Sequence, residues 1–165
     1  MTLKLSSVPP RDPATLHVER LKAGQELLCH AVSQSVFGLT THWNESGRHS
    51  LPCTSVNCPG CKKGLPARWK GFLHVIRCSD RKQLLVELTS TATALLHDQV
   101  PQIDQLRGYR LRIYRGRGAD NSRLRCELYG EKMQGLVLPS EIDLIPSLRK
   151  IWRGVPDLDL DTLTA

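Results

Sequence analysis

Apolar and polar residues alternate along most of the chain in short stretches. Because successive side chains of a strand point to opposite faces, this period of two predicts β-strands that bury one face each. One stretch loses its alternation between Ser33 and Ser35, which predicts a break or a bulge there. The predicted strands cover residues 16–21, 26–37, 69–77, 83–88, 109–115 and 122–129.

One helix is predicted inside the chain, and a shorter helical segment near its end. Residues 89–100 favour a helix, because Thr89 or Ser90 offers a capping side chain and Pro101 ends it. Residues 139–152 predict a short helical segment. The fold class is therefore mainly β, with one internal helix and a short C-terminal helical segment.

The last two predicted strands share an outer face rich in arginine and tyrosine. If their apolar residues face inward, the opposite side chains form a basic and aromatic surface. Such a surface suits single-stranded nucleic acid, because phosphates need charge and unstacked bases need a flat partner. A solvated hairpin that is merely rich in arginine is the alternative. The outward residues are Arg110, Arg112, Tyr114, Arg123, Arg125 and Tyr129, with Arg115 and Arg117 in or beside the turn.

The cysteine spacing carries the sharpest chemical signal. Cys53, Cys58 and Cys61 form a Cys-x4-Cys-x2-Cys run, in which Pro59 and Gly60 favour a tight turn that aims two sulfurs at one point. Thiolate sulfur and neutral imidazole nitrogen are the ligands that zinc prefers. The run therefore predicts a structural zinc site that a histidine completes.

His42, at the end of an apolar stretch, is the favoured fourth ligand, and His49 is the alternative. A disulfide, a redox Cys-x-x-Cys pair and unconnected thiols are the competing interpretations of the cysteines. A redox pair requires an α/β context, and no helix is predicted after Cys61. The other cysteines, Cys29, Cys78 and Cys126, occur singly within apolar strand patterns, where a thiol behaves as a small hydrophobe.

The organisation predicted for the 165 residues is one domain with short tails. Residues 1–14 are expected to be a flexible arm and residues 15–152 the domain, with a zinc loop at 42–66. Residues 153–165 form an acidic tail that could recruit a protein partner.

Charge and hydropathy limit the partners and the compartment. The formal net charge of +7 indicates a polyanionic partner, with nucleic acid first. A membrane partner is not expected, because no apolar run approaches the length of a membrane span. The N-terminus lacks the apolar core of a signal peptide, so a reducing, cytoplasmic setting is expected.

The order of these features resembles a known family. Short strands, an internal helix, an inserted metal loop and a basic, aromatic face are typical of an OB-like barrel. The run from His42 through the three cysteines is followed by Trp69-Lys-Gly-Phe-Leu and by Leu106-Arg-Gly-Tyr-Arg-Leu-Arg-Ile-Tyr-Arg-Gly. Over residues 25–130 this pattern resembles the phage-type, zinc-containing single-stranded DNA-binding proteins.

The resemblance implies an OB-like barrel in which a His-Cys-Cys-Cys zinc knuckle stiffens a cleft for single-stranded DNA, with DNA favoured over RNA and a role in DNA replication or recombination. The implied ligands of a structural Zn²⁺ are His42, Cys53, Cys58 and Cys61. For Trp69 and Phe72, packing in the core is the alternative role. The implied groove comprises Trp43, Arg48, Arg68, Trp69, Lys70, Phe72, Arg110, Arg112, Tyr114, Arg115, Arg117, Arg123 and Arg125.

Three other functions compete with this hypothesis. A zinc deaminase would carry His-x-Glu ahead of its Pro-Cys-x-x-Cys, and the nearest case, His17-Val-Glu19, is on a predicted strand, so no enzyme is expected. A zinc-stapled adaptor could use the basic face for an acidic protein. A regulator of double-stranded DNA would need a basic recognition helix, which the sequence does not indicate.

Overall fold

The computed structural model describes residues 15–45, 49–54, 57–100, 102, 105–118, 123–133 and 135–152. The predicted arm at 1–14 and the acidic tail at 153–165 lie outside the described residues. The strands are β1 (His17–Glu19), β2 (Glu26–Ala31), β3 (Phe37–Asn44), β4 (His49–Pro52), β5 (Ala67–Arg77), β6 (Gln83–Thr89), β7 (Arg110–Arg115) and β8 (Leu124–Leu128). The helices are α1 (Pro59–Lys62), α2 (Ser90–His97) and α3 (Ile145–Ile151).

The strands form one eight-stranded sheet around the long central strand β5. The hydrogen-bonded path runs β1, β6, β5, β2, β7, β8, and β3 pairs with both β4 and the first half of β5. Within the described residues the path does not close, because β1 and β8 are not paired with each other. The fold is therefore mainly β, as predicted.

Most predicted elements are confirmed with shifts at their ends. The expected break near Ser33 separates β2 from β3, and the two strands then pair with opposite halves of β5. Helix α2 begins where its cap was predicted, because the Thr89 hydroxyl accepts a hydrogen bond from the Ala92 amide at 3.2 Å.

The predicted zinc loop at 42–66 is more ordered than the sequence indicated. Its first part continues β3 and returns as β4, so that Thr41 to Asn44 pair with Pro52 to His49 as a hairpin. The single turn α1 was not predicted; it begins at Pro59, between the two cysteines, and ends at Lys62, directly after the pair. Proline is well suited to a first helical position, where its missing N–H costs nothing.

The main core lies on one face of the sheet. Strands β5, β6 and β7 contribute Leu73, Val75, Val86 and Leu111 to it, and α2 contributes Leu96. Of the three cysteines that the sequence placed in strand patterns, Cys29 and Cys126 are buried in this core, whereas Cys78 directly follows β5 and is only partly buried. Burial raises the pKa of both core thiols, which keeps them neutral as small apolar residues.

A second core covers part of the opposite face, which we call the outer face. Helix α3 packs there through Leu148 and Trp152 against Phe72 of β5 and Leu85 of β6. The rings of Phe72 and Trp152 meet edge to face, with centroids 6.0 Å apart. Within the described residues, no helix is long and apolar enough to cross a membrane.

A candidate metal centre and two basic surfaces

Four side chains converge where the β3–β4 hairpin meets α1. His42 comes from β3, Cys53 directly follows β4, Cys58 directly precedes α1 and Cys61 lies within it. Their ligand atoms all lie within 4.8 Å of one another. The predicted set of four residues is thus brought together, although it is spread over 20 positions of the chain.

Two of the distances between these atoms match those around a tetrahedral ion. With Zn–S bonds of about 2.3 Å and Zn–N bonds of about 2.0 Å, tetrahedral geometry separates two sulfurs by about 3.8 Å and a sulfur from a nitrogen by about 3.5 Å. The Cys53 and Cys61 sulfurs are 3.6 Å apart, and Cys61 Sγ lies 3.4 Å from His42 Nε2. A disulfide needs about 2.05 Å, and these cysteines are free.

His42 is oriented by its other ring nitrogen. Nδ1 lies 3.0 Å from the Leu65 carbonyl oxygen, which can only accept a hydrogen bond, so Nδ1 carries the proton. The tautomer therefore leaves the Nε2 lone pair directed at the sulfur cluster, in the arrangement typical of a metal-bound histidine. The side chain of the alternative ligand, His49, lies outside the described residues.

Backbone amides prepare Cys58 to be a thiolate. Burial of Cys58 opposes ionisation, but hydrogen bonds from the amides of Cys61, Thr54 and Gly60, together with the Cys53 thiol, lower its pKa to about 6. The neighbouring thiols have the opposite effect on Cys61. Its hydrogen bond with Cys53 is the main cause that raises its pKa to about 11. Neighbouring thiols whose ionisation is coupled in this way are typical of a metal site, in which a bound cation neutralises the thiolates.

Gly60 lets the α1 turn approach His42. A Cβ at this position would lie 2.5 Å from His42 Cγ and 2.6 Å from Cδ2, well inside contact distance. The requirement is steric, because the backbone of Gly60 does not adopt a positive φ.

Replacing Gly60 with alanine should therefore push the His42 ring away from the sulfurs and weaken metal binding by about 10-fold to 100-fold, the range for a lost supporting contact. Competition with a chelator would measure the change. Gly116→Ala is the matched control, because a Cβ there meets nothing within 4 Å. Equal affinities of the two variants would show that the approach of Gly60 to His42 does not matter.

A first basic surface lies on the outer face of β2, β7 and β8, and we call it the arginine–tyrosine surface. The predicted alternation of β7 is confirmed, since Leu111 and Ile113 are fully buried while Arg110, Arg112 and Tyr114 are partly exposed. The guanidinium of Arg112 lies 4.7 Å from the centre of the Tyr114 ring. Cation and ring are thus already paired on this surface.

Tyr129 contributes to this surface without having been assigned to the groove. Its ring is 45% exposed and lies 5.1 Å from the guanidinium carbon of Arg110. The signal was present in the sequence, because Tyr129 shares the alternation of Arg123 and Arg125. Both of those arginines are exposed.

The arginine–tyrosine surface carries carboxylates in addition to the arginines and tyrosines that the sequence analysis assigned to it. Glu127 lies directly opposite Arg112 in the sheet register, and its Oε1 is 3.5 Å from Arg112 Nη1. Glu26 on β2 accepts two hydrogen bonds from Arg112, at 2.7 and 3.0 Å. Arg112 is therefore the anchor of an ion-pair network, and its charge is largely compensated within the protein.

The remaining predicted arginines of this region differ in position. Arg115 ends β7 with the alternation of the buried Leu111 and Ile113, so it does not share the outer face. Arg117 follows in the turn, where its side chain would be 3.2 Å from a Cβ at Gly24. Arg125 lies opposite Tyr114 in the register. Within the described part of the chain, no carboxylate lies within ion-pair distance of Arg117, Arg123 or Arg125.

A second basic surface lies beside the metal cluster, and we call it the knuckle surface. Trp43 is 43% exposed there, although large aromatic residues are usually buried. Arg68 pairs in register with Thr41, so Trp43 is its diagonal neighbour on the same face. Arg48, which was also assigned to this part of the groove, lies outside the described residues.

Three other residues that were assigned to the groove have structural partners. Phe72 has 0% exposure and is removed from the candidate interface, because its ring is enclosed by the second core. The ring of Trp69 packs against Gly38 and Gly71, and a Cβ at Gly38 would lie 2.1 Å from that ring. Lys70 is held by Glu87 at 2.7 Å.

No protein-family model, curated protein or solved structure matches the chain.

Proposed function

We propose that this protein binds single-stranded DNA with little sequence preference, through the arginine–tyrosine surface of a domain stapled by structural zinc. One observation carries the proposal. The buried alternation of β7 and β8 forces Arg110, Tyr114, Arg125 and Tyr129 onto one outer face, where they intermix positive charge with aromatic rings. Phosphates supply most of the affinity for such a face, and stacked bases add about 1 to 3 kcal/mol each.

The order and pairing of the strands support an OB-like barrel. Strands β2 and β3 together behave as one bent strand along β5, and β6 follows as its hairpin partner. Helix α2 comes next, before β7 returns to pair with β2 and β8 pairs with β7. A helix between the third and fourth of five strand units is the OB arrangement, and in that fold the loops between units 1 and 2 and between units 4 and 5 take part in oligonucleotide binding. The metal cluster lies between units 1 and 2 of this chain, and Arg117 follows unit 4 in the turn toward unit 5.

The donor set of the metal cluster supports zinc in a structural role. Three cysteine sulfurs and one imidazole nitrogen form the Cys3His set of closed tetrahedral zinc sites, which keep no position for a catalytic water. When bound, the ion would join the β3–β4 hairpin to α1. Oxygen ligands, which magnesium and calcium require, are absent from the four residues of the cluster.

A pair of substitutions on neighbouring positions of β8 tests the proposed surface. Arg125→Ala should weaken binding of oligo-dT and lower the slope of log affinity against log salt by about 0.7, the value for one phosphate contact on a single strand. Glu127→Gln should strengthen binding, because it removes a carboxylate from the surface and frees part of the charge of Arg112. Fluorescence anisotropy of a labelled oligonucleotide at several salt concentrations would measure both.

Lys82→Ala is the matched control, since Lys82 is exposed in the β5–β6 turn and belongs to neither surface. It should leave the salt slope unchanged. If Arg125→Ala and Lys82→Ala behave alike, the arginine–tyrosine surface is not the binding site. If no variant, nor the unaltered protein, binds a single strand at low salt, the zinc-stapled adaptor becomes the better explanation.

A further inference from the structure

The two basic surfaces lie on the same face of the sheet, at opposite ends of β5. Arg68 and Ile76 have the same alternation in β5, and Ile76 pairs with His30, which in turn pairs with Arg110. Arg68 and Trp43 therefore share the outer face with Arg110, Tyr114 and the rest of the arginine–tyrosine surface. The sequence had treated all of these residues as one groove.

We propose that one single strand of DNA contacts both surfaces at once, with Trp43 as the base-stacking residue of the knuckle surface. The inference rests on the proposed function and deepens it, because it defines the substrate as strands long enough to span the two surfaces. Shorter strands occupy one surface at a time.

The span follows from the register of the sheet. Arg68 and Ile76 are eight residues apart on β5, or about 26 Å at ~3.3 Å per residue. Two strand spacings of about 4.8 Å then lead sideways from β5 through β2 to β7. The two surfaces are thus about 28 Å apart, which a stacked single strand covers with about eight nucleotides at 3.4 Å each, or with fewer when its bases are unstacked.

Trp43 and Arg68 fit one end of such a strand. Trp43 follows the metal ligand His42 on β3, and adjacent residues of a β-strand point to opposite faces. The metal cluster therefore contacts β3 from one face, while the Trp43 indole is exposed on the other. Within the described residues, Arg68 has no acidic partner, which leaves its charge available to a phosphate. An exposed ring beside an uncompensated cation is the arrangement that stacks one base and holds its phosphate.

Helix α3 and the segment before it cover part of the outer face between the two surfaces. Helix α3 covers Phe72, which lies between Arg68 and Ile76 on β5. In the segment before it, Glu141 accepts a hydrogen bond from the Gln34 amide at 3.2 Å, and Asp143 accepts one from the Ile145 amide at 2.9 Å. Both carboxylates already have partners within the protein, and a strand that joins the two surfaces passes over this covered region.

Engaging two surfaces with one strand makes the second contact intramolecular. Affinity should then rise by about 10-fold or more over a narrow range of oligonucleotide length. The second, linked contact increases the affinity far more than the larger number of binding registers on a longer strand does. Below that range, binding should reflect one surface only.

The experiment measures affinity for labelled oligo-dT over lengths of roughly 4 to 16 nucleotides, the range found for single OB folds. Metal content is verified for every protein sample. The unaltered protein and Lys82→Ala should show the rise near about eight nucleotides. Trp43→Ala and Arg125→Ala should each lose the rise while short oligonucleotides still bind the remaining surface. Trp43→Phe should keep most of it, because a smaller ring still stacks.

The outcomes separate the two proposals. A smooth increase of affinity with length in the unaltered protein, or a rise that survives in Trp43→Ala, would overturn the two-surface inference and leave single-strand binding intact. Absence of binding at every length would overturn the proposed function itself. If Trp43→Phe keeps the rise in affinity that Trp43→Ala loses, the aromatic ring, rather than the fold of the hairpin, is responsible for the rise.

Discussion

Replacing Cys58 with serine should remove the metal from the protein and loosen the β3–β4 hairpin. Cys58 is the buried cysteine of the cluster, and the amides that lower its pKa to about 6 favour a thiolate at this position. A serine hydroxyl stays protonated at neutral pH and is a poor zinc ligand. We expect metal affinity to fall by more than about 100-fold, beyond the effect of losing a supporting contact outside the ligand set.

The metal content of the purified variant, measured by atomic absorption, tests this expectation. Cys78→Ser is the matched control, because Cys78 is a partly buried thiol that does not belong to the cluster. The control should retain one metal ion for each protein chain, whereas Cys58→Ser should retain almost none. Full metal content in Cys58→Ser would contradict the assignment of the cluster as a metal site. The rest of the fold should survive, because both cores lie in the sheet and its helices.

Replacing Phe72 with alanine should destabilise the domain by about 3 to 5 kcal/mol, the usual cost of removing a buried phenylalanine ring. The ring is completely enclosed and supports Trp152 edge-on, so its loss leaves a cavity between β5 and α3. Binding of single-stranded DNA by the folded protein should be unchanged, since a side chain with no exposed surface cannot stack on a base.

Urea unfolding followed by circular dichroism would measure the loss of stability. Phe37→Ala is a suitable control, because Phe37 lies opposite Phe72 in the register of the same core but is only partly buried. It should cost less than Phe72→Ala. If Phe72→Ala costs under about 1 kcal/mol and also abolishes DNA binding, Phe72 belongs to the interface and the second core has been misjudged.

Features that depend on neighbouring residues were predictable from the sequence. The alternation of β7, the Thr89 cap of α2 and the tight turn between Cys58 and Cys61 all arise from local backbone geometry. The metal cluster was predictable for a further reason. Its residue types and spacing satisfy the coordination requirements of one kind of ion, so the four ligands can be recognised as a set from the sequence alone.

Features that depend on which face is covered were not predictable. Alternation alone does not reveal that α3 shields Phe72 while Trp43, on the same face of the sheet, stays exposed. Nor does it reveal that the predicted groove is divided between the two ends of β5. Glu127 is a different case, because its position between Arg125 and Tyr129 in the sequence already placed an acid on the basic surface. Its pairing with Arg112 required the strand register.

The most direct measurement is a tryptophan-fluorescence titration of the metal-loaded protein with oligo-dT and with a duplex of equal length, at about 50 and about 200 mM salt. Trp43 is the most exposed of the three tryptophans, whereas Trp152 is buried, so a base stacked on the knuckle surface should quench mainly Trp43. The arginine–tyrosine surface holds no tryptophan, so the anisotropy of the labelled oligonucleotide is followed in the same titration and reports binding at either surface. We expect saturable quenching that favours the single strand and weakens steeply with salt. Equal or stronger binding of the duplex, or no binding of either at low salt, would contradict the proposal that this zinc-stapled domain binds single-stranded DNA.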